Sequence, residues 1–217
     1  PSPKITSNQL IESKKSSSEG LLWVSRGPRE YDTNTFPLML KDRNIMGSQT
    51  DFTSKIVEFE ESLSKDILSN TVLRLKKNYF DRLEDSRVSV IIESLKSDLS
   101  VEEVKMGKNS LIEEAMCSEI VFIDHFPSTS FLECISKNIP VIVLCSIPMS
   151  RFHEKSQSFV KSIRQSGVLY DDGNDAANAI NRVMTRNNVK KWWREEDRQK
   201  SISRYRNKFA MTSSNFA

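Results

Sequence analysis

A carboxylate, an imidazole and three hydroxyls lie within seven residues of one another near the middle of the chain. Asp124 and His125 follow an apolar run, and Ser128, Thr129 and Ser130 come shortly after them. A histidine in such a position can bind a phosphate, contact a base or transfer a proton. Consecutive hydroxyls suggest hydrogen bonds to a phosphate. These residue types therefore indicate an anion site, with Asp124 and His125 as the candidate catalytic residues.

A βαβ unit is predicted to position these side chains. The apolar run at 119–123 is typical of a strand, 129–137 of a helix, and 140–144 of a second buried strand. Residues 124–130, called the elbow below, then join the carboxyl end of a parallel strand to a helix N-terminus. Ligands of open α/β sheets bind at this edge, and free N–H groups with the helix dipole favour an anion there.

A purely structural role explains part of the same pattern. Ser130 and Glu133 have the spacing of a capping box, in which the hydroxyl accepts from the N–H three residues on. That arrangement leaves Ser128 and Thr129 to bond a phosphate, and Glu133 has a competing role on ribose hydroxyls. His125 has a structural alternative as well, since a lone histidine is often a buried hydrogen-bonding group.

Other candidate phosphate ligands follow the strands predicted at 21–24 and 71–75. Ser25 and Arg26 come after the first of these strands, and a guanidinium matches the geometry of phosphate oxygens. Arg74 lies inside the second strand, where a charged side chain needs a partner. Two interpretations of Arg74 stay open, a contribution to the phosphate site and a buried salt bridge.

Strands alternate with helices along most of the chain, which predicts an α/β fold with a Rossmann-like parallel sheet and helices on both faces. Further strands are predicted at 101–104 and 168–170, and further helices at 49–68, 80–96, 109–117, 151–166, after Gly173 and at 190–209. Residues 29–47 are predicted to form a long loop, and 88–92 could instead be a strand. The expected domains are a linker or flexible arm at 1–20, a Rossmann-like domain at 21–189 and a packed C-terminal helix at 190–217.

Composition narrows the class of protein. The chain has 217 residues and is 37% hydrophobic, a composition typical of a globular protein. Its net charge of +3 is too small to indicate that it binds nucleic acid. No apolar run is long enough to span a membrane, and the first residues do not resemble a signal peptide. The chain begins at Pro1 rather than Met, so it is expected to be part of a longer protein.

Three cysteines are expected to be buried thiols rather than metal ligands or disulfides. Cys117, Cys134 and Cys145 lie in or beside apolar segments, and no spacing typical of a metal site occurs, so no metal is predicted. The same helical periodicity predicts that Met116 points inward. Near the C-terminus, Trp192 and Trp193 are predicted to anchor the final helix, although basic residues flank them.

The order of these features resembles the C-terminal half of bacterial sugar transferases for surface carbohydrate, which are similar to GT-B glycosyltransferases. The likeness covers about residues 20–215. The motifs that carry it are, in order, Leu21-Leu-Trp-Val-Ser25, Leu73-Arg-Leu75, Asp124-His125, Ser128-Thr129-Ser130, Leu132-Glu133, Asn138-Ile-Pro140, Ser166-Gly167-Val168-Leu169, Trp192-Trp193, Gln199 and Phe209-Ala210-Met-Thr212.

The resemblance implies one half of a GT-B fold that binds a nucleotide-sugar donor and uses no other cofactor. It implies that Ser128 with Thr129, or Thr129 with Ser130, binds the donor phosphate. A CMP-linked acidic sugar, a UDP-sugar and a GDP-sugar all remain open as donors, because Phe126 separates His125 from Pro127 where CMP-sugar enzymes have a His-Pro dipeptide. The acceptor would be a glycan of surface polysaccharide or lipopolysaccharide, held by an N-terminal domain or a partner chain that also supplies the base.

Two other functions are compatible with the same residues. One is a sugar-nucleotide epimerase, which would need acidic catalytic residues spread over two domains. The other is a non-catalytic module that binds a nucleotide and docks a partner through its tail. The expected location is the cytoplasm, or the inner face of the membrane.

Overall fold

A computed structural model of the protein describes residues 20–25, 49–75, 103–106 and 110–210. The strands are β1 (Leu21–Ser25), β2 (Thr71–Leu75), β3 (Glu103–Met106), β4 (Ile120–Ile123), β5 (Val141–Leu144) and β6 (Leu169–Tyr170). The helices are α1 (Gln49–Ser62), α2 (Lys65–Ser69), α3 (Leu111–Met116), α4 (Thr129–Ser136), α5 (Glu154–Gln165), α6 (Gly173–Thr185), α7 (Val189–Trp193) and α8 (Glu196–Phe209), with a 3₁₀ turn at Met149–Arg151.

The six strands form one parallel sheet in the order β3-β2-β1-β4-β5-β6. From β1 the chain moves outward through β2 to β3, and then returns so that β4 pairs with the other side of β1. The order of the strands therefore reverses between β1 and β4, which is the arrangement of a Rossmann-like sheet. The predicted α/β fold is confirmed.

Helices cover both faces of this sheet. On one face α1 packs along α6, and on the other face α3 contacts α4 while α8 lies across α4 and α5. The division follows from right-handed crossovers, since connections that run in opposite directions from the centre of a sheet lie on opposite faces. Strands β1, β4 and β5 are buried on both sides, which explains why β4 and β5 have uninterrupted apolar sequences.

The α1 face of the sheet has an aromatic centre. The ring of Phe59 from α1 stacks on Phe122 with centroids 3.7 Å apart, and Trp23 meets Phe59 edge-on at 5.1 Å. Gly173 lets α6 approach α1 closely, because a Cβ there would lie 2.0 Å from the carbonyl oxygen of Lys55. The first turn of α6 therefore packs directly against the backbone of α1.

The helix predicted at 49–68 is two helices in the structure. Asn181 of α6 separates them: its Oδ1 accepts from the N–H of Ser64 at 2.9 Å, and its Nδ2 donates to the carbonyl of Ser62 at 2.8 Å. These tertiary hydrogen bonds replace helical ones, so the chain turns between α1 and α2. The periodic pattern of apolar residues continues across the break, which is why the sequence indicated a single helix. The loop predicted at 29–47 and the helix or strand at 80–96 lie outside the described residues.

The predicted C-terminal helix is also two helices, α7 and α8, and Trp192 and Trp193 are buried as expected. The indole Nε1 of Trp193 donates to Asn138 at the end of α4, with 2.9 Å to its carbonyl oxygen. Among the helices that the structure describes, none combines the length and apolar content needed to cross a membrane.

Buried Arg198 connects the beginning of α8 to its surroundings. Its Nε donates to the carbonyl of Ser166 at 2.9 Å, its Nη1 donates to the carbonyl of Trp192, and its guanidinium lies 4.2 Å from the centroid of that tryptophan ring. Gln199 beside it donates to the carbonyl of Trp193 at 2.6 Å. The segments around Ser166, Trp192 and Gln199 thus meet at the junction of α8 with the domain.

Candidate functional site

The end of β4 lies beside the end of β1, at the point where the strand order reverses. The N–H of Asp124 continues the ladder beyond β4 by donating to the carbonyl of Val24 at 3.4 Å. Ser25 ends β1, and both it and Asp124 are buried. Open α/β sheets bind their ligands in the crevice at this position, so the fold places the predicted site residues of two strands at one edge.

Asp124 and His125 form a buried pair. The Oδ1 atom of Asp124 lies 2.9 Å from Nδ1 of His125, and the two residues are only 1% and 9% exposed. A carboxylate bonded to Nδ1 favours a proton on that nitrogen and fixes the orientation of the ring. Nε2 is then the ring nitrogen that is left to bind a ligand or to exchange a proton.

Ser128, not Ser130, caps the helix that follows. Ser128 has an extended backbone, and its Oγ accepts from the N–H of Phe131 at 3.1 Å, while α4 already includes Thr129 and Ser130. The predicted capping box of Ser130 and Glu133 is therefore wrong. The sequence favoured it because a glutamate follows Ser130 by three residues, whereas the residue at that spacing from Ser128 is Phe131.

The change of cap residue leaves a different pair of hydroxyls for a ligand. Thr129 is exposed and Ser130 is half-buried, both in the first turn of α4. Within the described residues, neither side chain forms a hydrogen bond. The first N–H groups of a helix have no partner within the helix. They point out of its N-terminus, toward the position that a bound anion would take. Glu133 is exposed on the next turn, where its side chain could reach a bound molecule.

Arg74 forms a salt bridge between β2 and α3. Its Nη1 contacts Oε2 of Glu114, and the Glu114 side chain is only 7% exposed. This confirms the second of the two interpretations of Arg74, while a contribution to a phosphate site stays a prediction. Arg26, the other predicted guanidinium, lies outside the described residues.

Arg164 is a charged residue at the same edge of the sheet that the sequence did not reveal. It projects from the last turn of α5 toward the residues that follow β5 and β6. Its Nη2 lies 2.5 Å from Oδ1 of Asp171 and 3.4 Å from the carbonyl oxygen of Ile147. It thereby ties together two loops at the carboxyl edge. In the sequence, the one possible signal is the position of Arg164 directly after Ile163, a residue on the buried face of amphipathic helix α5.

The cysteines differ in environment. Cys134 and Cys145 are buried as predicted, and burial raises the pKa of each thiol to about 12. Cys117 is exposed, and Met116 beside it is 64% exposed, so the prediction that both are buried is wrong. Met116 is the last residue of α3 and Cys117 is its C-cap, whereas the buried residues of this helix are Leu111 and Ala115. In the described parts of the chain, no three acidic, histidine or cysteine side chains come together as a metal site would require.

Comparison with known protein families identifies the family of this chain. The model of the family described as LIC12162 family transferase matches residues 1–217. No curated protein and no solved structure gave a match. Because the family model spans the whole sequence, the chain belongs to the LIC12162 family of transferases.

Proposed function

Since the chain is a member of a transferase family, we propose that it is the donor-binding part of a glycosyltransferase of GT-B type. It would transfer a sugar from a nucleotide-sugar donor to a glycan acceptor in the synthesis of surface polysaccharide or lipopolysaccharide. The observation that carries this proposal is the position of one buried Asp–His pair and one helix N-terminus. Both follow the carboxyl end of β4 beside the end of β1, where the strand order reverses, which is the usual ligand crevice of such sheets.

The donor phosphate would lie at the N-terminus of α4. Thr129 and Ser130 would donate their hydroxyl hydrogens to phosphate oxygens, and the N–H groups of the first turn would add to this. Such donors stabilise the negative charge that develops on the nucleotide as the bond between phosphate oxygen and sugar breaks. Arg26 is the proposed cationic partner of the same phosphate, and Ser25 would line the crevice beside it.

His125 would present Nε2 to the donor, and Asp124 would hold the ring in that orientation. Glu133, exposed one turn into α4, would bind ribose hydroxyls. An N-terminal domain or a partner chain would hold the acceptor and supply the base that activates its hydroxyl. A CMP-linked acidic sugar, a UDP-sugar and a GDP-sugar are the donor classes to compare.

The proposal is tested by adding CMP, CDP, UMP, UDP, GDP and ADP to the purified chain and measuring its melting temperature and binding heat. A ligand present at about 100 times its Kd stabilises the native state by about 2.7 kcal/mol, which raises the melting temperature by several degrees. We expect one pyrimidine or guanine nucleotide to produce such an increase. If none binds either this chain or a version joined to its acceptor domain, the donor-binding function is wrong.

A double variant then locates the phosphate. Thr129→Ala with Ser130→Ala should weaken binding of that nucleotide by about 1–3 kcal/mol, because hydrogen bonds to a charged group are lost. Ser136→Ala is the matched control, since it removes a hydroxyl from the other end of α4, where Oγ donates to the carbonyl of Glu133 at 2.7 Å. Equal affinities of the double variant and the control would contradict the proposed position of the phosphate.

A further inference from the structure

Tyr205 of α8 packs against two residues of the candidate site region. Its ring centroid lies 6.0 Å from that of Phe126 and 5.4 Å from that of Phe131, and these two rings meet at 5.7 Å. All three side chains are buried. Phe126 directly follows His125, and Phe131 is the residue whose N–H is bonded to the Ser128 cap. One ring from the C-terminal helix therefore supports the elbow at the His125 side and at the start of α4.

The other end of α8 is held independently of the elbow. Arg198 and Gln199 bond it to the carbonyls of Ser166, Trp192 and Trp193. Tyr205 lies about two turns further along the helix, so the helix transfers that fixed position to the ring. Burial raises the pKa of the Tyr205 phenol well above its ordinary value, so the ring packs as a neutral group at any physiological pH.

We propose that Tyr205 is a positioning residue of the candidate site. Its ring holds Phe126 and Phe131 in place, and through them it sets the orientation of His125 and the direction of the α4 N-terminus. The inference rests on the proposed function for the identity of the ligand. The positioning itself is a property of the protein without ligand and can be measured separately.

The first experiment observes the two histidines of the full chain by long-range ¹H–¹⁵N NMR, with His125→Asn to assign their signals. We expect Tyr205→Leu to shift the ring nitrogen signals of His125, because the support of Phe126 changes. Tyr205→Phe keeps the ring and should leave those signals at their wild-type positions. Ile202→Ala is the matched control, since Ile202 is buried on the same helix one turn earlier and its truncation also lowers the melting temperature.

The NMR signals of His125 show whether Tyr205 positions the histidine ring or only contributes to the stability of the protein. A Tyr205→Leu protein that is less stable but has wild-type His125 signals would overturn the proposal. So would an Ile202→Ala protein whose His125 signals shift as much as those of Tyr205→Leu. Shifts confined to Tyr205→Leu support it.

Binding of CMP and UDP, measured by calorimetry, gives the second readout. We expect Tyr205→Leu to lower the affinity for whichever of them binds by about fivefold or more, and Tyr205→Phe to remain within about twofold of wild type. Equal loss of affinity in Ile202→Ala would again contradict a specific role. If neither nucleotide binds the wild-type chain, GDP is measured in the same way. The NMR result decides independently of the nucleotide whether Tyr205 positions His125.

Discussion

The three hydroxyls of the elbow differ in what they contribute, one to the stability of helix α4 and two to the proposed binding of a ligand. Ser128 is buried and its hydroxyl satisfies a backbone N–H of α4, whereas Thr129 and Ser130 have hydroxyls that no described residue bonds. Three hydroxyls that look equivalent in the sequence therefore have different roles. The side chain that a ligand would touch is not the one that the helix needs.

Replacing Ser128 by alanine should destabilise the protein. Loss of an N-cap hydroxyl costs about 1 kcal/mol, and here it also leaves the N–H of Phe131 without its acceptor in a buried position. Urea unfolding of Ser128→Ala beside Ser130→Ala measures the difference. A larger loss of stability in Ser130→Ala than in Ser128→Ala would mean that the cap is not Ser128.

The thiols should differ in reactivity. At pH 8, Ellman's reagent should modify Cys117 alone, because burial keeps Cys134 and Cys145 protonated with pKa values of about 12. After unfolding in guanidinium, three thiols per chain should react. Two or more fast-reacting thiols in the folded protein would contradict this assignment.

The raised thiol pKa values also give a direction for stability at alkaline pH. Each pKa is about 9 in the unfolded chain and about 12 in the folded one, so the unfolded chain loses the proton first as the pH rises. This contribution to the free energy of unfolding is intact below pH 9 and decreases as the pH rises from 9 toward 12. Cys145→Ala should make that decrease less steep in an alkaline unfolding titration.

At the scale of helices and strands, two arginines make polar contacts that join different elements. Arg74 joins β2 to α3, and Arg198 joins α8 to the α7 carbonyls and to the loop after α5. The contacts of Arg74 with Glu114 and of Arg198 with Ser166 join segments that are 40 and 32 residues apart in the sequence. Their loss should therefore affect the packing of whole elements rather than a single turn.

Arg74→Met should cost about 2–3 kcal/mol of unfolding free energy, because the carboxylate of Glu114 is left buried without this partner. The double variant Arg74→Met with Glu114→Leu should recover much of that loss, since two apolar side chains replace the ion pair. Urea unfolding of the wild type, both single variants and the double variant measures the coupling.

Nucleotide affinity of that double variant tests the remaining role of Arg74. We expect wild-type affinity if the arginine acts only in the salt bridge. A fall in affinity with stability recovered would instead support a contribution of Arg74 to the phosphate site. Because the double variant retains much of its stability, the two interpretations remain distinguishable.

Arg198→Ala should also destabilise the protein by about 2–3 kcal/mol, because several hydrogen bonds of a buried guanidinium are lost at once. Lysine cannot supply the same planar fork, so Arg198→Lys should recover only part of the loss. Arg204→Ala is the control, since Arg204 is exposed on the same helix and lies over the ring of Phe159 at 4.7 Å. A loss no larger for Arg198 than for Arg204 would contradict the structural role of Arg198.

For the whole molecule, the sequence predicted the sheet better than the helix boundaries. Apolar strands buried on both faces have a clear pattern, so β1, β4 and β5 were found within one residue of their ends. The break between α1 and α2 was missed because it depends on Asn181, more than a hundred residues away. The position of the cap at Ser128 was missed because local spacing favoured Ser130.

Part of the candidate site was predictable because its residues follow a strand that the sequence reveals. Asp124, His125 and the hydroxyls of 128–130 follow a strand, so their place at the carboxyl edge could be inferred from sequence order. Contacts across the fold determine that Glu114 is the partner of Arg74, where Arg164 lies and that Tyr205 packs on Phe126. No local pattern reports such contacts, and they required the structure.

The central position of β1 has a consequence for how fast the protein folds. Leu21 of β1 is paired with Ile120 of β4, so the contact joins residues separated by 120 − 21 = 99 positions. Contacts of high sequence separation slow folding, because the entropy of closing the intervening chain must be lost before the pairing is gained. Refolding from denaturant should therefore take milliseconds to seconds rather than microseconds, and the crevice beside Asp124 cannot form before that slow pairing is complete.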